Sequence, residues 1–194
     1  MTEKTHPPVS EKQQPSNPLP GNRATKDDFH RMMRVDHAGE FGAVRIYEGQ
    51  LAVLGDKHPK SAMIRHMQEQ EKVHLATFNK LLSEEGVRPT LLSPFWHAAG
   101  FALGAGTALM GEKAAMACTA AVEEVIDEHY EEQLQKLEGS EPAFEKTIKQ
   151  FQAEEIEHRE IALEHGAEDT PGYGLLSGVI KAGCKLAIWT AKKI

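Results

Sequence analysis

Glu40-Phe-Gly-Ala-Val-Arg-Ile-Tyr47-Glu48-Gly-Gln50-Leu51, followed by Gln68-Glu-Gln-Glu71-Lys-Val-His74, decides how this chain is read, because the pattern is written twice. The second copy runs Glu123, Tyr130, Glu131, Gln133, Leu134 and then Gln152, Glu155, His158. The offset is 83 residues in the first part and 84 in the second, so a single loop residue separates the two spacings. Self-similarity at a fixed period is the mark of an internally duplicated helical pair. Four glutamates and two histidines, arranged as Glu and then Glu-x2-His in each copy, form the ligand set of a carboxylate-bridged two-metal site.

One copy alone would carry no weight. With ten His and 23 Glu in 194 residues, about one Glu-x2-His is expected by chance. Duplication supplies the weight, and it also settles an ambiguity. His158 has Glu154 at i−4 as well as Glu155 at i−3, whereas His74 has Gln70 at i−4. Only the i−3 choice keeps the two halves alike.

Working outward, four segments show the helical period. Phe29, Met33, Asp36, Glu40, Val44, Tyr47 and Leu51 recur at steps of three and four, after a Thr25-x2-Asp28 capping box and before Gly55. Ile64, Met67, Glu71, His74, Phe78 and Leu81 form the second stripe, which stops at Gly86. Met116, Ala120, Glu123, Asp127, Tyr130, Leu134 and Leu137 form the third, up to Gly139. Phe144, Ile148, Phe151, Glu155, His158, Ala162 and His165 form the fourth, from Pro142 to Gly166. The six ligand candidates lie inside these apolar stripes. An ionised carboxylate facing a bundle core is prohibitively costly unless paired or metal-bound, and two divalent cations against four carboxylates bring the local charge near zero. A buried salt-bridge network is the bland alternative, and few Lys or Arg share the stripes to build one.

Two further segments are apolar. Residues 89–111 contain no Asp, Glu, Lys or Arg. They are long enough to span a bilayer, but a single crossing would put the two halves of the site on opposite sides. The segment therefore reads as the long crossover of a ferritin-like bundle, lying on a membrane surface or against a partner. Gly104-x-Gly106 lacks the preceding strand and the spacing of a dinucleotide loop. The last segment opens with Thr170-Pro171 as an N-cap and first helical residue, and its charges after Asp169 are Lys181, Lys185, Lys192 and Lys193. A basic amphipathic helix on an acidic chain points to a lipid surface or to an ordinary docking helix.

The remaining composition excludes classes. A net charge of −7 with no basic run argues against nucleic acid, and Cys118 and Cys184 have no metal-pair spacing. Residues 1–24 are Pro-rich and without apolar periodicity, and read as a disordered tail preceding one domain over 25–194. The tail lacks the apolar stretch of a secretory signal and the Arg content of a mitochondrial presequence, so the expected location is the cytoplasmic face of a bacterial inner membrane. Exposed apolar helices point to self-association.

The hard ligand set suits iron or manganese, and ligand choice does not separate them. Glu71 and Glu155 are the expected bridges, with Glu40 and Glu123 terminal and one His per metal. Asp36 and Asp127 are placed to hold the free N–H of the ligand histidines or, equally, to cap the core.

Arg34-Val-Asp-His-Ala-Gly-Glu-Phe-Gly-Ala (34–43), Gln70-Glu-Lys-Val-His74, Ala117-Cys-Thr-Ala-Ala-Val-Glu-Glu (117–124), Glu154-Glu-Ile-Glu-His158 and Ala182-Gly-Cys-Lys (182–185) together resemble the demethoxyubiquinone hydroxylase family. The resemblance spans roughly 26–194. It implies an all-α, ferritin-like four-helix bundle with an apolar crossover helix and an additional C-terminal helix. It also implies two Fe2+ ions held by Glu40, Glu71, His74, Glu123, Glu155 and His158. The implied reaction is O2-dependent hydroxylation of a 2-polyprenyl-3-methyl-6-methoxy-benzoquinone in ubiquinone biosynthesis, at a membrane surface, alongside other proteins of that biosynthesis. NADH is the implied electron donor, and His129 and Tyr130 match the His-Tyr pair tied to that role. Two other readings share parts of this logic: a ferritin- or rubrerythrin-like ferroxidase or peroxidase, and a non-enzymatic helical scaffold at a membrane.

Overall fold

The computed structural model describes residues 24–193, so the Pro-rich tail lies outside the described residues apart from Ala24. The described chain is all helical: α1 Lys26–Leu54, α2 Ser61–Glu84, α3 Ser93–Leu109, α4 Glu112–Leu137, α5 Pro142–Glu164 and α6 Tyr173–Ala191. No strand occurs among the described residues. The capping box is present: Asp28 N–H donates to Thr25 Oγ1 and Thr25 N–H to Asp28 Oδ2, both at 3.1 Å. Lys136 Nζ, 2.7 Å from Asp28 Oδ1, ties the start of α1 to the end of α4.

Helices α1, α2, α4 and α5 form the bundle, and its interior has three zones. At one end Phe29, Met33, Phe78, Leu82, Leu137, Phe144, Ile148 and Phe151 pack together. At the other, Tyr47, Ile64, Met67, Met116, Ala120 and Ala162 do so. Between them, in register on all four helices, lie the buried acidic and imidazole side chains. Two apolar plugs thus hold a polar layer out of reach of bulk water.

The crossover expected over 89–111 is helix α3, begun by Pro94 in its first turn. It crosses α1 at backbone contact. A Cβ on Gly104 would run into the Ile46 carbonyl and one on Gly49 into that of Phe101, while one on Gly100 would sit 2.8 Å from the Gly42 carbonyl oxygen. Gly100 and Gly104 therefore serve helix packing rather than a loop. Helix α6 lies on α4 and stands to it as α3 stands to α1. Ala99-Gly100-x-x-Leu103 and Ala182-Gly183-x-x-Leu186 are offset by 83 residues, as Glu40 and Glu123 are. The repeated unit is three helices, not two.

The α6 start differs from the sequence reading. Thr170-Pro171 lies in a turn, and the helix begins after Gly172, whose φ of 73° is a left-handed conformation that suits glycine. Its positive charges also differ in role. Lys181 pairs with Glu124 at 2.6 Å and Lys185 with Glu128 at 2.8 Å, so they pin α6 to α4. Lys193 lies over the Trp189 ring at 3.6 Å. No helix among the described residues is long and apolar enough to cross a membrane.

Candidate metal centre

The six carboxylate and imidazole candidates converge. Glu71, His74, Glu155 and His158 are fully buried, and Glu40 and Glu123 are 1% exposed. They fall into two groups, Glu40–Glu71–His74–Glu155 and Glu71–Glu123–Glu155–His158, each able to bring one ligand atom per residue within 4.8 Å of the others. Glu71 and Glu155 belong to both groups. Glu155 turns Oε1 to His74 Nδ1 at 3.2 Å and Oε2 to His158 Nδ1 at 3.3 Å. Glu71 turns Oε2 to His74 Nδ1 at 3.7 Å and Oε1 to His158 Nδ1 at 3.0 Å. Each shared carboxylate offers one oxygen to each side, as a carboxylate bridging through both oxygens would.

The terminal glutamates are each held by one oxygen. Tyr47 Oη donates to Glu123 Oε1 at 2.8 Å, and Tyr130 Oη donates to Glu40 Oε1. The pairing crosses between the halves, with the α1 tyrosine on the α4 glutamate and the reverse. What remains is Glu40 Oε2, Glu123 Oε2, both oxygens of Glu71 and Glu155, and Nδ1 of His74 and His158. None of these eight atoms has a hydrogen bond of acceptable geometry, although all are buried. Buried polar atoms are almost always satisfied. Eight unsatisfied atoms facing one space, from hard oxygen and imidazole donors, fit a pair of divalent cations.

The outer ring nitrogens are held differently from the expectation. His74 Nε2 meets Glu154 Oε2 at 2.6 Å, and His158 Nε2 meets Gln70 Oε1 at 3.1 Å. Asp36 and Asp127 do not hold them. Asp36 accepts from Gln133 at 2.5 Å, and Asp127 takes Gln152 at 2.9 Å and Arg159 at 3.2 Å. On a helix the residue four before a histidine flanks the neighbouring helix. Gln70 therefore reaches across from α2 to α5 and Glu154 from α5 to α2. The rival ligand Glu154 is thus a neighbour of the opposite histidine. The signal was visible as a polar residue at i−4 in both copies, without its partner being legible.

The electrostatics describe a site built for cations. Burial pushes the Glu40 and Glu123 carboxyls well above the usual range, with the charges of Glu71 and Glu155 adding to it. Burial would raise Glu71 too, but the facing His158 and His74 imidazoles overturn that and bring it down to about 2. Burial would lower His158, yet Glu155 and Glu71 lift it to about 11, and His74 is raised in the same way. Positive charge is wanted at the centre.

His129 and Tyr130 stand on the Glu40 side. Tyr130 bonds Glu40, while the His129 Nε2 lies 2.8 Å from the Gln133 amide nitrogen and 3.4 Å from Asp36 Oδ1. His129 and Gln133 also line a 150 Å³ cleft with Asp28, Arg31, Glu132 and Lys192.

A bundle of four helices around a duplicated Glu and Glu-x2-His cluster, with a crossover helix, defines the ferritin-like class of helical proteins with a two-cation carboxylate–histidine site. Within that class, the family described as ubiquinone biosynthesis protein COQ7 matches residues 27–191, and the chain belongs to this family, the demethoxyubiquinone hydroxylases. It is 56% identical over 176 residues to a 3-demethoxyubiquinol 3-hydroxylase of Rhodospirillum rubrum, covering 91% of this chain and 83% of that one. It is 53% identical over 173 residues to a mitochondrial NADPH-dependent 3-demethoxyubiquinone 3-hydroxylase of Bos taurus (87% and 79% covered). It is 42% identical over 180 residues to the mitochondrial 5-demethoxyubiquinone hydroxylase of Saccharomyces cerevisiae (84% and 77% covered).

Proposed function

We propose that this protein is an O2-dependent di-iron monooxygenase that hydroxylates a polyprenylated demethoxybenzoquinone in ubiquinone biosynthesis. The observation that carries it is the set of eight buried ligand atoms without partners, in a chain whose relatives are named for that reaction. Glu40 and His74 would hold one metal, Glu123 and His158 the other, and Glu71 and Glu155 both. A bound iron pair supplies the two-electron chemistry that activating dioxygen requires.

The chain's own residues do the rest. Tyr47 and Tyr130 each occupy one oxygen of a terminal glutamate and leave the other turned inward. Glu154 and Gln70 fix the histidine rings by Nε2 and so orient Nδ1 to the centre. Phe151 stacks on His74 with ring centroids 3.9 Å apart and, with the apolar plugs, excludes water. His129 and Tyr130 form the reductant side. The donor is a reduced nicotinamide dinucleotide, with NADPH, the form in the mammalian relatives' names, tested beside NADH.

The substrate's isoprenoid tail demands an apolar approach. Among the described residues, eight of the nine exposed large hydrophobics are on or beside α3 and α6: Leu91, Phe95, Leu109, Met110, Leu175, Val179, Leu186 and Trp189. This surface supports peripheral attachment to a membrane or self-association through the same helices, and the location we propose is the cytoplasmic face of a bacterial inner membrane. The test is turnover of a short-chain demethoxyquinone by iron-loaded protein under 18O2 with NADPH or NADH. A hydroxylated product carrying the label is expected. Oxygen consumption with no quinone product would replace this reading with a ferroxidase.

A further inference from the structure

The two halves of the centre match ligand for ligand, but not one layer out. Gln133 of α4 donates to Asp36 of α1, and its counterpart Gln50 of α1 donates to Thr119 of α4 at 3.3 Å. Asp36 and Thr119 are 83 residues apart, so they occupy the same place in the two halves. The third member, His129, corresponds to Ile46. One half thus carries carboxylate, imidazole and amide where the other carries hydroxyl, sec-butyl and amide.

We propose that Asp36, His129 and Gln133 form a one-sided proton relay that connects the surface cleft to the interior beside Glu40; this rests on the hydroxylase reading. Hydroxylation consumes RH, O2, two electrons and two protons, and yields ROH and water. A nicotinamide hydride brings both electrons and one proton, so one further proton must come from solvent into a layer that solvent does not touch. His129 reaches the cleft with 8% of its side chain exposed, whereas Asp36 is fully enclosed.

One ring atom faces two partners. With His129 neutral, its Nε2 accepts from the Gln133 amide at 2.8 Å; with Nε2 protonated, the same atom faces Asp36 Oδ1 at 3.4 Å. The proton taken up by His129 from the cleft passes to the Asp36 carboxylate, leaving His129 neutral to take another. Asp36 Oδ2, buried and without a partner, is the atom left to pass the proton on, and Asp36 stands one helical turn before Glu40 on α1. Charged groups facing the cluster are Asp28 and Arg31 on α1, Glu132 and Lys136 on α4 and Lys192 after α6, so the cleft supplies both signs. Burial holds the Asp36 carboxyl above its usual range, which suits a group that must accept a proton and release it. The other links to the surface, Glu154 and Gln70, end on ring nitrogens of the candidate ligands, and a ligand ring has no free position through which to pass a proton.

The test uses iron-loaded full-length protein, with quinone turnover and a second readout without substrate: proton uptake from solution on chemical reduction, followed with a pH indicator. Asp36→Asn and His129→Ala are expected to keep the wild-type metal content, to slow turnover about 10²-fold, and to slow proton uptake. Imidazole is expected to restore both rates in His129→Ala in a concentration-dependent way. Thr119→Ala, on the matching side, leaves Gln50 its bond to the Ala115 carbonyl at 3.1 Å and is expected to stay within about twofold of wild type in turnover and proton uptake. Unchanged proton uptake, no rescue by imidazole, or an equal loss in Thr119→Ala would overturn the relay. If Asp36→Asn fails to hold metal, His129→Ala with imidazole decides alone. A wild-type protein with no quinone product defeats the hydroxylase reading instead, and proton uptake still reports on the relay.

Discussion

The α1–α3 half and the α4–α6 half are two copies of one three-helix unit, and they differ in an ordered way with distance from the centre. Among the ligand candidates the copies are the same: one Glu, then Glu-x2-His, with a tyrosine on the opposite glutamate. One layer out they diverge. Glu154 holds one histidine and Gln70 the other; Phe151 stacks on His74, where the matching position on α2 is Met67; the Asp36–His129 pair answers Thr119 and Ile46. At the periphery α3 lies on α1 in backbone contact, while α6 is pinned to α4 by ion pairs. Under the proposed function the matching ligands would hold the metal pair, while substrate, reductant and protons would each arrive from one side. The divergence is where one-sided function has room to develop.

Breaking the shared positions should have the largest effect. Glu71→Ala and Glu155→Ala each remove a carboxylate common to both groups, and both are expected to abolish stoichiometric metal binding and turnover. Glu40→Ala and Glu123→Ala, which touch one group each, should retain partial binding of the metal, measured by metal content after anaerobic loading. Next come the histidine holders. Glu154→Ala and Gln70→Ala are expected to lower metal affinity roughly 10–100-fold, with the anionic Glu154 at the larger end.

The packing of the outer helices offers a sharper contrast at the level of stability. Gly100 and Gly183 occupy the same place in the two copies, yet a Cβ on Gly100 meets the Gly42 carbonyl oxygen at 2.8 Å and one on Gly183 meets nothing within 4 Å. Gly100→Ala should destabilise by roughly 1–3 kcal/mol through overpacking, whereas Gly183→Ala should be stabilising by roughly 0.5–1 kcal/mol, the helix preference of Ala over Gly. Thermal unfolding of the two variants should shift in opposite directions.

An effect of similar size is expected at the helix starts. α1 has a side-chain capping box and α4 begins after Gly111 with none. Asp28→Ala should cost about 1 kcal/mol. Lys136 and the Thr25 amide hold the Asp28 carboxyl down at about 2 from 3.8. A depressed carboxyl stabilises the fold above its unfolded value and loses that contribution as pH falls through the folded one. The difference between wild type and Asp28→Ala should therefore be constant above about pH 5 and shrink toward pH 2, read from unfolding midpoints across that range.

Much of this was legible in the sequence for a physical reason. Helical periodicity reports which residues share a stripe, so the six candidates, the four bundle helices and the sharing of Glu71 and Glu155 could be read from spacing and duplication. Periodicity does not report which residue of a neighbouring helix lies opposite. For that reason Asp36 and Asp127 were read as holding the histidines or, equally, as capping the core, whereas Glu154 and Gln70 stand at the rings, and the cross-bonding of Tyr47 and Tyr130 was not foreseen. The α3–α6 correspondence was hidden because small and apolar positions diverge freely: only Ala-Gly-x-x-Leu and a following Thr-Ala (Thr107-Ala108 and Thr190-Ala191) survive in both. The lysines of α6 read equally as facing lipid or as facing water on a docking helix, because Glu124 and Glu128, the partners of Lys181 and Lys185, belong to another helix. Thr170-Pro171 has the chemistry of a helix start, but Gly172 follows in a left-handed conformation and moves the start beyond it.

The central claim is that the duplicated cluster holds a metal pair through two shared carboxylates, and an anaerobic Fe2+ titration tests it most directly. Wild-type protein should saturate at about two ions per chain, and both Glu71→Ala and Glu155→Ala should lose the stoichiometric phase while keeping wild-type helicity. Saturation at a single ion, or two ions still bound after either shared glutamate is removed, would contradict it.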